Sequence, residues 1–249
     1  MEIYTRNGCI SNNYMLPAEC ESLIDTGNLY EAHDNDNVLF FVNMSSGIYR
    51  VYYVLNNPMT IDHIDIEWPL MTEILFRSVS SPSVEELKFL ERLGFRENLR
   101  RDLYAAKAEG NYPEPTFAAH IETAKKAVNL FNASFDRFSG DYISDDEIES
   151  LFSDNGLICA YDDNGEFAGA LHITIAGKNA WVSHLAVDPG HRRQHIASRL
   201  VEMYISESIR RGAKRLQLWV QSQNEAAITL YTRYGFKPSN KSTLSLIKE

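Results

Sequence analysis

The stretch Ser183–Phe236 constrains the fold of this chain more than any other. An apolar strand pattern (HLAV) ends at Pro189, which cannot continue a strand ladder. A basic and polar turn follows, and it opens directly into a long amphipathic helix pattern, His195–Arg211. Leu216–Val220 then has the pattern of a buried strand, and Glu225–Tyr234 that of a second helix. Predicted strands and helices therefore alternate in this stretch.

The turn between the first strand and the long helix has the features of an anion site. A helix start presents unpaired backbone N–H groups and a partial positive charge. Arg192 and Arg193 add full charges beside it, and Ala197 is small enough to let a phosphate approach the backbone. Successive N–H groups suit the oxygens of a diphosphate. On the residues alone, an ordinary strand–loop–helix with solvated arginines is an equal alternative.

Two sequence blocks in this stretch resemble the GNAT N-acyltransferase superfamily. Arg192 and Ala197 match the ends of the family's acyl-CoA pyrophosphate loop, and His195 stands where its middle glycine is usual. The second block is Asn-x-x-Ala-x-x-Leu-Tyr-x-x-x-Gly-Phe, matched by Asn224, Ala227, Leu230, Tyr231, Gly235 and Phe236. The resemblance implies an α/β fold of the α+β type. Its mixed, mostly antiparallel sheet has helices on both faces and opens at its fourth strand, where acyl-CoA lies.

The resemblance also implies a site for acetyl-CoA as co-substrate, with no metal. Backbone groups of the fourth strand, at Leu185, Ala186 and Val187, would hold the pantetheine. The pyrophosphate would bind the loop and the first helical turn, which comprise Arg192, Arg193, Gln194, His195, Ile196, Ala197 and Ser198. Asn224 and Ala227 would lie near the pantetheine arm, although an asparagine at this place also serves as a helix N-cap.

Three side chains are candidates for the chemistry. Tyr231 matches the family tyrosine near the thioester sulfur, a candidate general acid; the alternative is a packed helical aromatic. Many relatives carry an acidic base on the fourth strand, where this chain has Ser183 and His184. His184 has a reference pKa near neutrality and is a candidate base, whereas a packed strand histidine is the alternative. Ser183 could bind a water or the substrate, and His172 is a weaker candidate base.

The segment Ala108–Thr116 divides the chain, because its glycine and prolines stop helices and strands. We therefore expect two domains, 1–110 and 116–249, of which the second is the GNAT acetyltransferase domain. Phe89–Ala105 and Leu230–Ile247 share one order of helix, Gly-Phe, polar stretch and strand. This parallel predicts that the first half is a degenerate GNAT-like copy, with a chance match as the alternative. The segment after Val79, SSPSVEE, has no glycine and no arginine pair, so this copy is expected to have lost cofactor binding.

Composition narrows the class of partner and the compartment. Asp and Glu number 34 against 24 Lys and Arg, a net charge of −10, which argues against nucleic acid and favours amine-bearing partners. No apolar run approaches the roughly 18–20 residues of a membrane span. The N-terminal sequence lacks the regions of a signal peptide, so we expect a cytoplasmic protein. Cys9, Cys20 and Cys159 form no metal-ligand cluster in the sequence, as expected for reduced thiols.

Together these features predict an N-acetyltransferase that moves an acetyl group from acetyl-CoA to a primary amine. No sequence signature of a covalent acyl-enzyme is present, so the amine is expected to attack directly in a ternary complex. A non-catalytic acyl-CoA-binding or regulatory module is one alternative, favoured by the missing acidic base. An acyltransferase with a longer acyl donor is another. The identity of the amine and the oligomeric state are not specified by the sequence.

Overall fold

The computed structural model describes residues 9–12, 17–33, 36–44, 47–61, 63–64, 66–139 and 141–249. The chain forms two compact units: Met1–Arg100 together with Lys241–Glu249, and Arg101–Asn240. Within the described ranges, no helix is both long enough and apolar enough to cross a membrane. Most of the N-terminal sequence tested for a signal peptide, residues 1–8, lies outside these ranges.

The first unit is a mixed sheet with a helix on each face. Its strands follow the order β2-β3-β4-β5-β11, and β1 pairs with β4. Only β4 and β5 are parallel. α2 packs on the larger core and α1 on the smaller one. The bounds are β1 Ile10–Ser11, α1 Pro17–Asp25, β2 Leu29–His33, β3 Asn37–Asn43, β4 Tyr49–Leu55, β5 Leu70–Phe76, α2 Val84–Arg92, β6 Arg96–Lys107 and β11 Lys237–Lys248.

The second unit has the strand order β7-β8-β9-β10-β6. Only β9 and β10 are parallel, so the predicted mixed, mostly antiparallel sheet is confirmed. α3 and α4 cover one core, and α5 and α6 cover the other, which confirms helices on both faces. The remaining bounds are α3 Ile121–Ser134, α4 Glu147–Ser153, β7 Leu157–Tyr161, β8 Phe167–Ala176, β9 Asn179–Val187, α5 Ile196–Arg210, β10 Arg215–Gln221 and α6 Glu225–Arg233.

The two units repeat one pattern of strands and helix caps. The order β2-β3-β4-β5-β11 has the same strand directions as β7-β8-β9-β10-β6. After α2 and α6, Gly94 and Gly235 adopt φ values of 87° and 81°. The next amide, of Phe95 or Phe236, donates to the carbonyl five residues earlier. The parallel between the two sequence fragments therefore extends to their three-dimensional arrangement, as a duplicated fold predicts.

Each unit is completed by a strand that the predicted domains 1–110 and 116–249 assign to the other half. β6 pairs with β10 from Arg101↔Gln221 to Lys107↔Arg215. The last strand, β11, pairs with β5 from Ser242↔Phe76 to Lys248↔Leu70. The compact units therefore differ from the predicted division, because strand pairing assigns the closing strands and local sequence does not specify which edge a strand joins.

The predicted linker 108–116 belongs to the second unit. The amide of Ala108 donates to Lys214 O at 3.1 Å, and the amide of Cys159 donates to Thr116 O at 2.7 Å. Glycine and proline do stop regular structure in this segment, as expected. The segment nevertheless joins β6 to α3 within one unit, and the chain crosses between the units at residues 100–101 and 240–241.

Candidate active site

Strands β9 and β10 form a fork in the second unit. They pair in parallel only from Asn179↔Arg215 to Val182↔Leu218. Beyond these pairs β9 stays with β8, and β10 stays with β6. Among the described residues, the edge of β9 over Ser183–Val187 that faces the opening carries no strand. In chain order β9 is the fourth strand of this unit, after β6, β7 and β8. The predicted opening is therefore present where the resemblance implies it.

A β-bulge lies where the fork opens. On the β8–β9 ladder His172 opposes His184, but Ile173 opposes Val182, which leaves Ser183 as the extra residue. A bulge locally changes the face to which the following side chains point. The side chains on either side of Ser183 therefore enter different cores.

The predicted pantetheine-binding residues alternate between the two faces of the sheet. Ala186 belongs to the core beneath α3, whereas Leu185 and Val187 pack on the core beneath α5. Ser183 is half-buried, and its Oγ lies 2.5 Å from Thr174 Oγ1. The backbone of Leu185, Ala186 and Val187 forms the open edge of the fork, with the Ser183 hydroxyl at its start.

The loop before α5 contains two residues with left-handed backbone. Arg193 has φ 65° and His195 has φ 61°. The first N–H groups of any helix have no intrahelical acceptor. His195 precedes α5 and makes no side-chain capping bond, so these groups have no acceptor from the N-cap side chain either. The side chains of Arg192, Arg193, Gln194 and His195 are exposed, whereas Ile196 is buried in the core. The helix start and its two arginines are therefore open to an anion.

Glycine in place of His195 is expected to stabilise the protein. A left-handed conformation costs a residue with a Cβ about 1–2 kcal/mol, and glycine loses about 0.4–1 kcal/mol of that gain through the entropy of the unfolded chain. The net gain in the free energy of unfolding, measured by denaturant titration, should be a few tenths to about 1 kcal/mol. Gln194→Gly is the matched control, since Gln194 has no positive φ, and it should lower stability. A His195→Gly protein that is less stable than the parent would contradict the expectation.

Tyr231 lies on α6 and is 7% exposed. Its ring contacts that of Phe236, with centroids 5.8 Å apart. Its hydroxyl has no hydrogen-bond partner among the described residues. Burial raises the pKa of this phenol above its usual value, so the proton stays on the oxygen near neutral pH. A protonated hydroxyl with no partner is available to donate.

Asn224 is the N-cap of α6. Its Oδ1 accepts from the amide of Ala227 at 3.0 Å. The side chain is exposed, and Ala227 packs partly on the core. Asn224 therefore has the N-capping role that is expected of an asparagine at this place.

Both ring nitrogens of His184 are engaged inside the protein. Nε2 lies 2.6 Å from Asp141 O, which can only accept, so Nε2 carries a proton and donates. Nδ1 lies 3.2 Å from Nδ1 of His172. The ring stacks on Phe131 at a centroid distance of 5.1 Å. Burial is the main cause that lowers the pKa of His184, which favours a neutral ring.

This geometry does not support the predicted role of His184 as a base. A neutral ring that donates from Nε2 has one lone pair, on Nδ1, and His172 Nδ1–H occupies it. The pKa of His172 is lowered to about 4, chiefly by burial, so both rings are neutral near pH 7. His184 instead holds the backbone of Asp141 against β9, which is the arrangement of a packed strand histidine.

Sequence reasoning missed the groups around this histidine pair. Asp141 forms an ion pair with Arg101, with Oδ2 and Nη1 3.1 Å apart. Glu147 accepts from the amide and the hydroxyl of Ser144, at 2.8 and 2.7 Å, and begins α4. A shallow pocket beside α3 is lined by Asn132, Phe135, Asp136, Arg137, Asp141 and Tyr142. The acidic run after α3 was the available signal, but Arg101 arrives on β6 and no local pattern predicts that.

One group of the described residues has the side chains for a cation. Ligand atoms of Asp162, Glu166 and His191 come within 4.8 Å of one another. The carboxylate of Asp162 already accepts the amides of Asn164 and Glu166, at 3.0 and 2.7 Å. A tight turn therefore accounts for Asp162 without a metal.

The sequence of the second unit matches a known family. Residues 124–236 match the family described as the acetyltransferase (GNAT) family. The chain is 36% identical over 81 residues to the ribosomal protein bS18-alanine N-acetyltransferase of Escherichia coli K12, covering 32% of this chain and 53% of that protein. It is 31% identical over 94 residues to the mycothiol acetyltransferase of Clavibacter sepedonicus, covering 37% and 31%. The chain thus spans about half the length, or less, of these curated relatives.

Solved structures share the fold over most of the chain. A GCN5-related N-acetyltransferase from Sphaerobacter thermophilus aligns with a TM-score of 0.60 at 16% identity, over 92% of this chain and 84% of that one. A tandem GNAT protein from the clavulanic acid biosynthesis pathway aligns with a TM-score of 0.55 at 13% identity, over 87% and 81%. At these identities the likeness concerns the fold.

Proposed function

We propose that this protein is an N-acetyltransferase, because residues 124–236 match the acetyltransferase (GNAT) family. The proposed reaction moves the acetyl group of acetyl-CoA to a primary amine by direct attack in a ternary complex. The observation that carries the proposal is the fork. β9 and β10 part after Val182, next to an uncapped helix start with two exposed arginines.

The fork suits the two ends of acetyl-CoA. The free edge of β9 at Leu185, Ala186 and Val187 offers N–H and C=O groups, to which an extended amide-bearing arm adds as a strand would. The amides at the start of α5 suit the diphosphate oxygens, and Arg192 adds charge-assisted hydrogen bonds. The exposed Asn224 serves the pantetheine arm in this proposal while it also caps α6.

The proposed chemistry uses one donor and the solvent. The neutral amine attacks the thioester carbon, so that a C–N bond forms and the C–S bond breaks. Tyr231 donates its proton to the departing thiolate and regains one from solvent. Because the ring nitrogens of His184 are engaged, the proposal assigns both protons that the nitrogen loses to water bound near Ser183 rather than to His184. One proton leaves the ammonium before attack, and the other leaves the nitrogen after the C–N bond has formed.

One relative, named for N-acetylation of an alanine, and the net charge support an amine as the acceptor. One curated relative is named for an alanine of ribosomal protein bS18, and another for mycothiol. The net charge of −10 favours the approach of a cationic amine. We therefore place the acceptor among primary amines that are protonated in solution.

A panel of amines tests the proposal, with the release of free CoA from acetyl-CoA and from longer acyl donors measured side by side. Turnover of an amine with acetyl-CoA is the expected result. Tight binding of acetyl-CoA without turnover of any amine would contradict it and favour the non-catalytic acyl-CoA-binding module, which the engaged nitrogens of His184 would suit. Faster turnover with a longer donor would show that the transferred acyl group is longer than acetyl, while the proposed type of reaction would stand.

Reversing the charge at Arg192 is expected to weaken CoA binding. Arg192→Glu removes at least one charge-assisted contact to a phosphate, so the affinity measured by calorimetry should fall by about 10- to 100-fold. Because the side chain is exposed, the melting temperature should not change. Lys178→Glu makes the same charge change in the turn at the opposite end of β9, and it should leave the affinity nearly unaltered. Equal affinities of the two variants would contradict the loop assignment.

A further inference from the structure

The first unit contains a fork of the same kind, between β4 and β5. These strands pair in parallel only at Tyr49↔Leu70 and Arg50↔Met71. Beyond these pairs β4 stays with β3, and β5 stays with β11. The edge of β4 that faces the opening, over Val51–Leu55, is therefore not covered by β5.

The chain's own segment Cys9–Asn12 occupies this fork. Its strand β1 pairs antiparallel with β4 at Ile10↔Leu55 and Ser11↔Val54. An added strand at a free sheet edge satisfies the backbone groups of that edge. In the described part of the second unit, no strand occupies the corresponding edge of β9.

Asn12 joins the two strands where they part, and it is only 8% exposed. Its Nδ2 donates to acceptors on both strands, namely Val51 O at 3.2 Å, Thr72 Oγ1 at 2.8 Å and Glu73 O at 3.2 Å. Its Oδ1 accepts from the amide of Tyr53 at 2.8 Å. The side-chain amide thus acts like a peptide group added to the edge of β4.

The first fork lacks the groups that make the second one suitable for a cofactor. Between β4 and β5 the described chain forms only a short 3₁₀ turn, Pro58–Thr60, where the second unit has α5. The amide of Phe95 donates to the carbonyl of Leu90, just as the amide of Phe236 donates to the carbonyl of Tyr231. Leu90 therefore stands where the second unit has Tyr231. The first unit therefore has neither a long helix start nor a phenol at these places.

We infer that Cys9–Asn12 is a built-in strand ligand of the first fork and that it closes this fork to acyl-CoA. The N–H of Tyr53 and the C=O of Val51, which an extended amide-bearing ligand would need, already bond to Asn12. The chain consequently binds a single acyl-CoA. The closure to acyl-CoA rests on the proposed function of the second fork, whereas the strand ligand rests on β1 and Asn12 alone.

Hydrogen exchange at the amide of Tyr53 tests the strand ligand in the intact chain. Because Asn12 Oδ1 is its acceptor, Asn12→Ala should accelerate exchange of this amide by about tenfold or more. Asn28→Ala is the matched control, since Asn28 is exposed and its side chain bonds to Thr26 at 3.3 Å. Unchanged exchange at Tyr53 in the Asn12→Ala protein would overturn the inference.

Replacement of the segment in trans is the second test. Deletion of residues 1–12 should lower the melting temperature of the first unit by about 4 °C or more, because a strand and the four bonds of Asn12 are lost. A synthetic peptide of residues 7–16 should restore it, and the same peptide with Asn12→Ala should not. Equal rescue by both peptides would overturn the role of Asn12.

Calorimetry of the intact chain with acetyl-CoA tests the closure separately. One equivalent bound per chain, with an affinity that Arg192→Glu weakens and Asn12→Ala leaves unchanged, is the expected result. Two equivalents would overturn the closure. No binding, together with accelerated exchange at Tyr53 in Asn12→Ala, would overturn the proposed function of the second fork and uphold the strand ligand.

Discussion

Deletion of Lys241–Glu249 should unfold the first unit and leave the strand pairing of the second unit in place. β11 supplies seven residue pairs to β5 and covers one edge of that sheet. Its side chains Leu244, Leu246 and Ile247 are 7%, 0% and 2% exposed. Losing three buried aliphatic side chains costs about 5–9 kcal/mol, which is comparable to the whole stability of a domain, about 5–15 kcal/mol. The expected effect is therefore complete loss of structure, although the deletion lies at the far end of the sequence.

Hydrogen exchange read by mass spectrometry distinguishes the two units in this truncated chain. Peptides from β3 and β4 should lose protection, while peptides from β7, β8 and β9 keep it. Leu246→Ala should give a graded version of the same effect, and Lys241→Ala, an exposed substitution on the same strand, should give none. The opposite pattern, in which the second unit loses protection, would show that the last strand belongs to the half in which it lies in the sequence.

Tyr231→Phe should lower kcat by about 100-fold with the best amine found. If the hydroxyl protonates the departing thiolate, its loss removes general acid catalysis, which is worth about 10²–10⁴-fold. The affinity for CoA should change little, since that proton matters only as charge develops on sulfur. The melting temperature should also stay constant, because the hydroxyl has no partner among the described residues to leave unsatisfied, and the ring contact with Phe236 remains.

Tyr204→Phe is the matched control for this prediction. Tyr204 is fully buried in the same core, and its hydroxyl donates to Ala180 O at 2.8 Å. Its loss leaves a buried carbonyl without this donor, so the melting temperature should fall while kcat changes far less than in Tyr231→Phe. Full turnover by Tyr231→Phe would contradict the acid role and leave Tyr231 as a packing residue.

Local patterns predicted many elements because each carries its own periodicity. The helix pattern over His195–Arg211 and the buried-strand pattern over Leu216–Val220 agree with α5 and β10 to within one residue at each end. Where patterns are weak, the prediction shifted or failed. The turn residues of 108–116 predicted a division there, whereas the chain crosses between the units at residues 100–101 and 240–241.

Some features of the candidate site were likewise predictable from the sequence, and others were not. The residue types around Arg192 and at Tyr231 are sufficient to predict the loop, the helix start and the phenol. The engagement of His184 is not readable from its neighbours in sequence, since Asp141, His172 and Phe131 reach it from three other segments. A strand position predicts that a histidine is packed or exposed, but it does not predict which atoms satisfy its nitrogens.

By itself, the sequence determined where strands and helices with a strong apolar pattern form, which of their faces are apolar, and which side chains stand beside an anion-binding helix start. Tertiary structure alone decided which edges those strands share. Backbone N–H and C=O groups are the same at every residue, so β6, β11 and Cys9–Asn12 carry no local mark of the strand they join. Those choices depend on burial of distant side chains such as Leu246 and on single polar contacts such as those of Asn12. For that physical reason the exchanged strands and the occupied first fork emerge only in three dimensions.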